Sequence, residues 1–125
     1  MSLNGYKTME YYGNKNKIKF PDESFLIAGI SFYQNNLDNI CHASELYMEE
    51  EPTNQFDSTA IKILYINKII GYVPKNDNIK NICKENIGDK LKIINIKKVP
   101  SSNNIGIRVI PEKYYKEEYK NMSLF

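Results

Sequence analysis

A polar turn in the middle of the chain carries an aromatic ring next to a carboxylate. Pro52 interrupts the element that precedes it, and Asn54 and Asp57 are residue types whose side chains bond to nearby backbone amides and favour turns. Phe56 lies between them, where a large ring has no obvious core to reach. Single-stranded nucleic acids bind where bases stack on such rings and phosphates lie beside cations, and Lys75 follows in the same stretch. The residue types therefore indicate a binding surface, with a purely structural turn as the alternative.

Catalytic and metal-binding chemistry finds little support in the sequence. The single histidine, His42, lies next to Cys41, which is not a metal-ligand spacing, and Cys83 has no ligand nearby in the sequence. A zinc site needs about four protein ligands, or three when it is catalytic. The sequence contains no glycine-rich phosphate loop, no G-x-S-x-G motif and no H-x-E motif. We therefore predict no enzyme activity, no metal and no cofactor.

Length, composition and charge are those of an ordinary globular domain. The chain has 125 residues, of which 42% are hydrophobic and 26% are charged, which suits one domain with a single core. Because 17 basic and 15 acidic residues give a net charge of +2, a nucleic-acid role would require a local basic patch. The two cysteines indicate free thiols in a reducing compartment. No signal-peptide pattern is present, and no apolar run approaches the roughly 18 residues of a membrane span. We therefore expect a cytoplasmic protein with no membrane contact.

Periodicity and turn residues predict a chain that is mainly β. Residues 60–65 and 68–73 are rich in Ile, Tyr and Val, and Ile66-Asn67 between them is short enough for a tight hairpin, with Asn67 taking a positive φ. Residues 25–33 form a nearly continuous apolar run, which predicts a strand buried on both faces. Gly29 within it marks a bend or a close backbone approach. Further strands are predicted at 46–49, 90–99 and 105–109, and the acidic residues 49–51 are interpreted as a solvated loop.

Two helices are predicted in addition to the strands. Ile79, Ile82 and Cys83 are spaced as one face of a helix that has Asp77 as its N-cap. The C-terminal helix is predicted from the spacing of three residues that would lie on one face, namely Tyr115, Tyr119 and Met122.

Five or six strands without alternating helices predict a mainly β (α+β) fold. We expect a small antiparallel barrel with one inserted helix and a short C-terminal helix. In the strand at 90–99, Leu91, Ile93 and Asn95 should lie on one face, and Ile94 and Ile96 on the other. The predicted organisation is a loose N-terminal arm at 1–20, a barrel at 21–111 and a C-terminal tail at 112–125, which we expect to be helical.

Three blocks of the chain carry a family resemblance, namely Phe25-Leu-Ile-Ala-Gly29-Ile-Ser-Phe32-Tyr33, Asn54-x-Phe56-Asp57-x-x-Ala60-Ile61-x-Ile63 and Gly71-Tyr72-Val73-Pro74-Lys75. In this order they resemble the HIRAN family, and the resemblance covers roughly residues 25–110. It implies an OB-like barrel with helices and a pocket that takes the 3′ end of single-stranded DNA. It also implies a non-catalytic module that serves DNA repair or replication-fork processing, with other repair proteins as partners.

This resemblance implies specific roles at the DNA end. Phe32 matches an aromatic residue that lines the pocket, with Tyr33 next to it, and Phe56 matches the ring on which a terminal base stacks. Asp57 matches the carboxylate that accepts a hydrogen bond from the terminal 3′-hydroxyl, and its negative charge implies that a terminal phosphate is rejected. Asn54 matches a polar contact at the same end.

Two further positions match residues that contact the strand, and two departures weaken the match. Tyr72 matches a polar position and Lys75 a basic one, but Tyr72 stands where the relatives have a histidine. Ser31 stands where they have an arginine, so one phosphate contact is reduced to a hydroxyl. Four other basic residues are candidates for the missing charge, namely Lys62, Lys90, Lys92 and Arg108.

Each assignment also has a structural alternative. Asp57 caps the turn, Phe56 covers the core, Phe32 lies inside the core, and Lys75 is an ordinary solvated lysine. The functional alternative is a protein- or peptide-interaction barrel with no nucleic-acid role, because small barrels with exposed edges accept a peptide strand. DNA binding would place the protein at the nucleoid. The sequence leaves open the physiological partner, any sequence preference and the oligomeric state.

Overall fold

Six antiparallel strands form one sheet that curls into a half-barrel. The computed structural model describes residues 19–124, with side chains described as far as Lys120. The mainly β prediction is confirmed. The elements are β1 (Phe25–Leu26), β2 (Leu46–Glu50), β3 (Ile61–Tyr65), β4 (Lys68–Tyr72), α1 (Asp77–Glu85), β5 (Lys90–Lys98) and β6 (Ile105–Pro111). In the sheet the strands follow the order β1-β6-β5-β2-β3-β4.

The two edges of the curled sheet meet at a backbone bridge between Ala28 and Tyr72. The Ala28 amide donates to the Tyr72 carbonyl (2.8 Å), and the Tyr72 amide donates to the Ala28 carbonyl (2.9 Å). Gly71 permits this approach, because a Cβ at that position would lie 2.6 Å from the Ala28 oxygen and would overlap Cγ2 of Ile27. Of the two alternatives expected at Gly29, the bend is confirmed by its φ of 71°, whereas the close backbone approach occurs at Gly71. Apart from its chain neighbours, no atom lies within 4 Å of a Cβ built on Gly29.

The core lies inside the curl, where the strands bury alternate side chains. In β3, Ile61, Ile63 and Tyr65 are buried while Lys62 and Leu64 between them are half-buried. Burial of these apolar side chains on one face of each strand is what favours the curled sheet over separate hairpins. Other strands contribute fully buried residues to the same core, among them Leu46, Ile70, Leu91, Ile107 and Val109.

A two-residue turn joins β3 to β4, as the sequence predicts. Tyr65 pairs with Lys68, and the φ angles of Ile66 and Asn67 are 50° and 63°. Two consecutive positive φ angles are the pattern of a type I′ turn, whose twist matches that of the flanking strands. Asn tolerates this conformation, but a β-branched residue such as Ile66 pays a steric penalty for it.

Ile66→Gly is therefore expected to raise the free energy of unfolding by roughly 1 kcal/mol. The Ile66 side chain is 70% exposed, so its removal costs little packing. Chemical denaturation monitored by circular dichroism measures the change. Asn67→Gly is the matched control and should change stability much less, because Asn already tolerates a positive φ. A loss of stability in Ile66→Gly would contradict the argument.

The prediction of a strand over residues 25–33 is wrong. β1 ends at Leu26, Gly29 turns the chain with a φ of 71°, and a 3-10 helix follows at Ile30–Asn36 with a kink at Tyr33. The apolar run is therefore not buried on both faces. A strand is buried on both faces only where other elements cover both faces of the sheet, whereas in β1 Phe25 is buried and Leu26 is exposed.

Side-chain amides attach this 3-10 helix to two strands. Gln34 Nε2 donates to the Ile105 carbonyl (3.0 Å), and the Ile105 amide donates to Gln34 Oε1 (2.9 Å). Asn36 Nδ2 donates to the Ile69 carbonyl (2.8 Å). These bonds connect the segment to β6 and β4, so that its outer face, which includes Phe32, is presented to solvent.

The N-cap of helix α1 is Asn76 rather than the predicted Asp77, which is the first residue of the helix. Asn76 Oδ1 accepts a hydrogen bond from the Ile79 amide (3.0 Å). Ile79 and Cys83 are buried on the core face, as their spacing predicts. Burial raises the pKa of the Cys83 thiol to about 12, so this thiol stays protonated at neutral pH.

A bulge in β5 breaks the alternation predicted for that strand. Ile93 pairs with Val109 and Asn95 with Arg108, so Ile94 is an extra residue on β5. Ile93, Ile94 and Asn95 are all buried as a result. The prediction placed Ile94 on the opposite face, which holds only for a regular strand.

Both ends of the described chain pack against the sheet. The Arg108 guanidinium lies over the Phe20 ring, 4.5 Å from its centre. The C-terminal residues form 3-10 helices at Glu112–Tyr114 and Glu117–Leu124, and the second of these contacts β5. The rings of Tyr115 and Tyr119 meet edge to face at 6.1 Å.

Parts of the predicted tails lie outside the described residues. These are residues 1–18 of the N-terminal arm, residue 125, and the side chains of residues 121–124, which include Met122. Between residues 19 and 124, no helix is long and apolar enough to cross a membrane.

Candidate ligand-binding site

One open cavity of about 500 Å³ collects the residues that the sequence singles out. Three separate parts of the chain form its wall: the 3-10 helix after β1, the turn before β3, and the end of β4 with the residues after it. Ala28, Gly29, Ala60 and Val73 complete the lining. All of the predicted site residues line the cavity, namely Phe32, Tyr33, Asn54, Phe56, Asp57, Tyr72 and Lys75. The closure of the sheet at Ala28 and Tyr72 is what brings them together.

Two aromatic rings project from the wall of this cavity into solvent. Phe56 is 90% exposed and Phe32 is 85% exposed. The structural alternatives that placed Phe56 over the core and Phe32 inside it are therefore wrong. Large apolar side chains grouped at a concavity usually mark a surface that binds a ligand or partner.

The turn that presents Phe56 is held by Asn54 and Glu51. Asn54 Oδ1 accepts hydrogen bonds from the amides of Phe56 (2.9 Å) and Asp57 (3.0 Å). Asn54 Nδ2 donates to Glu51 Oε1 (2.7 Å), and the Glu51 amide donates to the Ala60 carbonyl (2.9 Å). Both polar atoms of the Asn54 side chain thus bond within the turn, so Asn54 fixes the backbone from which the Phe56 side chain projects.

The carboxylate of Asp57 forms a compact cluster with Thr59 and Lys80. Its Oδ1 accepts from the Thr59 amide (2.9 Å) and from Thr59 Oγ1 (2.6 Å), and its Oδ2 lies 2.6 Å from Lys80 Nζ. The hydrogen bond from Lys80, followed by those from Thr59, holds the pKa of Asp57 well below its usual range. Asp57 is therefore ionised at neutral pH. Since a carboxylate offers about four acceptor positions, roughly one on Oδ2 is left for a ligand.

Tyr72 is tied to the same turn through Glu51. Its hydroxyl donates to Glu51 Oε1 (2.8 Å), the oxygen that also accepts from Asn54. Burial, and then the bond to Glu51, raise the pKa of Tyr72 to about 12. The hydroxyl is neutral at physiological pH, and its proton is engaged by Glu51.

Lys75 is the cation that lines the cavity. Its side chain is exposed, and among residues 19–124 no carboxylate lies within 4.0 Å of its Nζ. None of the four candidates for additional charge lines the cavity. Lys62 lies 3.7 Å from both Glu49 and Glu51, and Lys90 pairs with Glu45 at 2.8 Å. Lys92 lies over the Tyr115 ring, and Arg108 over Phe20.

Sequence reasoning missed two residues that shape the site. Glu51, interpreted as part of a solvated acidic loop, accepts bonds from both Asn54 and Tyr72. Lys80 pairs with Asp57 from the first turns of α1. The sequence offered no signal for either contact, because each depends on how distant segments pack. In the described part of the chain, no group of three or more His, Cys, Asp or Glu residues is placed to hold a metal ion.

Comparison with known proteins adds no relative from which a function could be transferred. No family model, curated protein or solved structure matches the chain. The geometry of the cavity is therefore the basis for any functional assignment.

Proposed function

We propose that the protein is a non-catalytic module of the HIRAN type that binds the 3′-hydroxyl end of single-stranded DNA. The observation that carries this proposal is the pair of exposed rings, Phe32 and Phe56, beside Asp57 and Lys75 in one cavity. The proposal includes an OB-like barrel, with which the six antiparallel strands and the inserted helix are compatible. It also includes a role at damaged or stalled replication intermediates, and hence a location at the nucleoid.

Each part of the cavity suits one part of a DNA end. Stacking of a base on an aromatic ring is worth ~1–3 kcal/mol, and Phe56 and Phe32 offer two such platforms. The remaining acceptor position on Asp57 takes the hydrogen of the terminal 3′-hydroxyl. Lys75 lies where it can pair with a backbone phosphate. A cavity of about 500 Å³ lies within the range of small-ligand sites, which suits the last nucleotides of a strand.

The small number of cations predicts weak salt dependence. For single strands, log K falls with log[salt] with a slope of about −0.7 per phosphate neutralised. With Lys75 as the cation that lines the cavity, we expect a slope near −1, well below that of a protein with an extended basic track. Stacking and end recognition then supply most of the affinity.

Competition between linear and circular DNA tests the proposal. A short 5′-labelled oligonucleotide is bound to the protein and followed by fluorescence anisotropy, and unlabelled competitors of the same sequence are added as a linear strand or as a closed circle. We expect the linear competitor to displace the probe at least tenfold more effectively, because a circle has no 3′ end. Equal competition, or no binding of the probe at moderate salt, would reject the proposal.

A peptide-binding barrel is the second candidate. Two features of the cavity favour this candidate. Its lining is mostly aromatic and apolar, and Lys75 is the single basic residue among the described residues that line it. Small barrels accept an extended peptide along an exposed edge. Binding of aromatic peptides that is blocked by Phe56→Ala, together with no binding of DNA in the competition assay, would establish this alternative.

A further inference from the structure

Lys80 lies behind the carboxylate that faces the cavity. Its Nζ is 2.6 Å from Asp57 Oδ2 and 2.8 Å from Thr59 Oγ1. The Lys80 side chain is 12% exposed and does not line the cavity, whereas Asp57 does. The cation therefore approaches the carboxylate from the side of α1, and the ligand approaches it from the other side.

This pairing changes the charge that a DNA end would meet. A lone carboxylate would repel a terminal phosphate, which carries close to two negative charges at neutral pH. The Asp57–Lys80 pair has no net charge, but its carboxylate faces the cavity and its ammonium lies behind, so the attraction of Lys80 for the phosphate offsets only part of the repulsion by Asp57. Thr59 holds both partners, because its hydroxyl donates to Asp57 and accepts from Lys80. The partial compensation is therefore a fixed feature of the site.

We propose that Lys80 is a specificity-determining residue that moderates, without abolishing, the preference of the site for 3′-hydroxyl over 3′-phosphate ends. This inference rests on the proposed function and concerns the chemistry of the end that is bound. Asp57 contributes a hydrogen-bond acceptor that favours the hydroxyl, and Lys80 lowers the charge penalty against the phosphate. The wild-type protein should thus prefer the hydroxyl end, but less strongly than a variant in which Lys80 has lost its charge.

The charge states of the pair predict opposite effects for the two single variants. Lys80→Gln leaves Asp57 uncompensated, so the preference for hydroxyl over phosphate should increase on the order of tenfold. Asp57→Asn leaves Lys80 uncompensated and should reverse the preference, so that the 3′-phosphate end binds more tightly. The double variant removes both charges and should return the ratio to within about threefold of wild type, which a double-mutant cycle quantifies.

The experiment measures anisotropy for two 5′-labelled oligonucleotides that differ only in a 3′-hydroxyl or a 3′-phosphate. Lys80→Arg keeps the charge and should keep the wild-type ratio. Lys84→Met removes a charge one turn further along α1, and should also leave the ratio unchanged. Thermal unfolding verifies that each variant is folded, and Lys80→Met replaces Lys80→Gln if the latter is not.

The outcomes separate this inference from the proposed function. If the wild-type protein binds both oligonucleotides but the ratio stays the same in Lys80→Gln and Asp57→Asn, the role of Lys80 is refuted while DNA binding stands. If Lys80→Arg changes the ratio as much as Lys80→Gln does, the effect does not depend on the charge of Lys80, and the inference is likewise refuted. If neither oligonucleotide binds the wild-type protein, the proposed function fails and the inference fails with it.

Discussion

Replacing Phe56 with alanine is expected to lower the affinity for single-stranded DNA by at least about fivefold without destabilising the fold. Loss of one stacked base costs ~1–3 kcal/mol, which corresponds to roughly a five- to 150-fold weaker complex. The ring is 90% exposed, so the free energy of unfolding should change by less than about 0.5 kcal/mol. Anisotropy titration with a 3′-hydroxyl oligonucleotide measures the affinity, and chemical denaturation measures the stability.

Two control variants make this result specific to the ring in the cavity. Phe56→Tyr keeps an aromatic platform and should retain most of the affinity. Leu26→Ala truncates another apolar side chain that is 55% exposed but does not line the cavity, and should leave DNA binding unchanged. Wild-type affinity in Phe56→Ala would show that the ring is not a stacking platform.

Gly71→Ala is expected to cause the largest loss of stability, about 2–4 kcal/mol. The new methyl group would lie 2.6 Å from the Ala28 carbonyl oxygen and would overlap the Ile27 side chain. Neither neighbour can yield easily, because Ile27 is buried and Ala28 is hydrogen-bonded to Tyr72. The bridge that closes the sheet would therefore have to open or shift. Urea denaturation of the wild-type and variant proteins measures the difference.

Gly106→Ala is the matched control for the closure of the sheet. A Cβ at Gly106 would lie 4.0 Å from the Lys97 carbonyl oxygen, which is an ordinary contact. Gly106 lies in β6, so the substitution tests the same residue change in a strand without the steric conflict. Equal stability of the two variants would contradict the close approach at Gly71. Because Ala28 and Tyr72 also line the cavity, we expect Gly71→Ala to weaken ligand binding as well.

The Asp57–Lys80 pair shows why the charge of a single residue is a poor guide to what its site binds. Asp57 alone suggests a site that rejects phosphate, whereas the pair is neutral. The ammonium of Lys80 lies 2.6 Å from the Asp57 carboxylate, and the two side chains are 12% and 20% exposed. Asp57 belongs to the turn and Lys80 to α1, so the charge presented to the cavity depends on two separate elements.

Local features of the chain were predictable from residue types alone. The turn at Ile66 and Asn67 and the core face of α1 follow from backbone preferences and from spacing along the chain. The Asn54–Asp57 turn is of the same kind, because Asn54 bonds to amides only two and three residues away. Such interactions involve neighbours in sequence, so the sequence determines them directly.

Features that depend on contacts between distant segments were decided only by the tertiary structure. The apolar run at 25–33 indicated a strand, but β1 has one flanking strand, and the chain leaves the sheet after the bridge at Ala28. The exposure of Phe32 and the pairing of Lys80 with Asp57 follow from the same closure and from the docking of α1. The apolar character and the charge of a residue can be read from its type. Whether its side chain is buried, and whether a partner neutralises its charge, depends on contacts that only the folded chain makes.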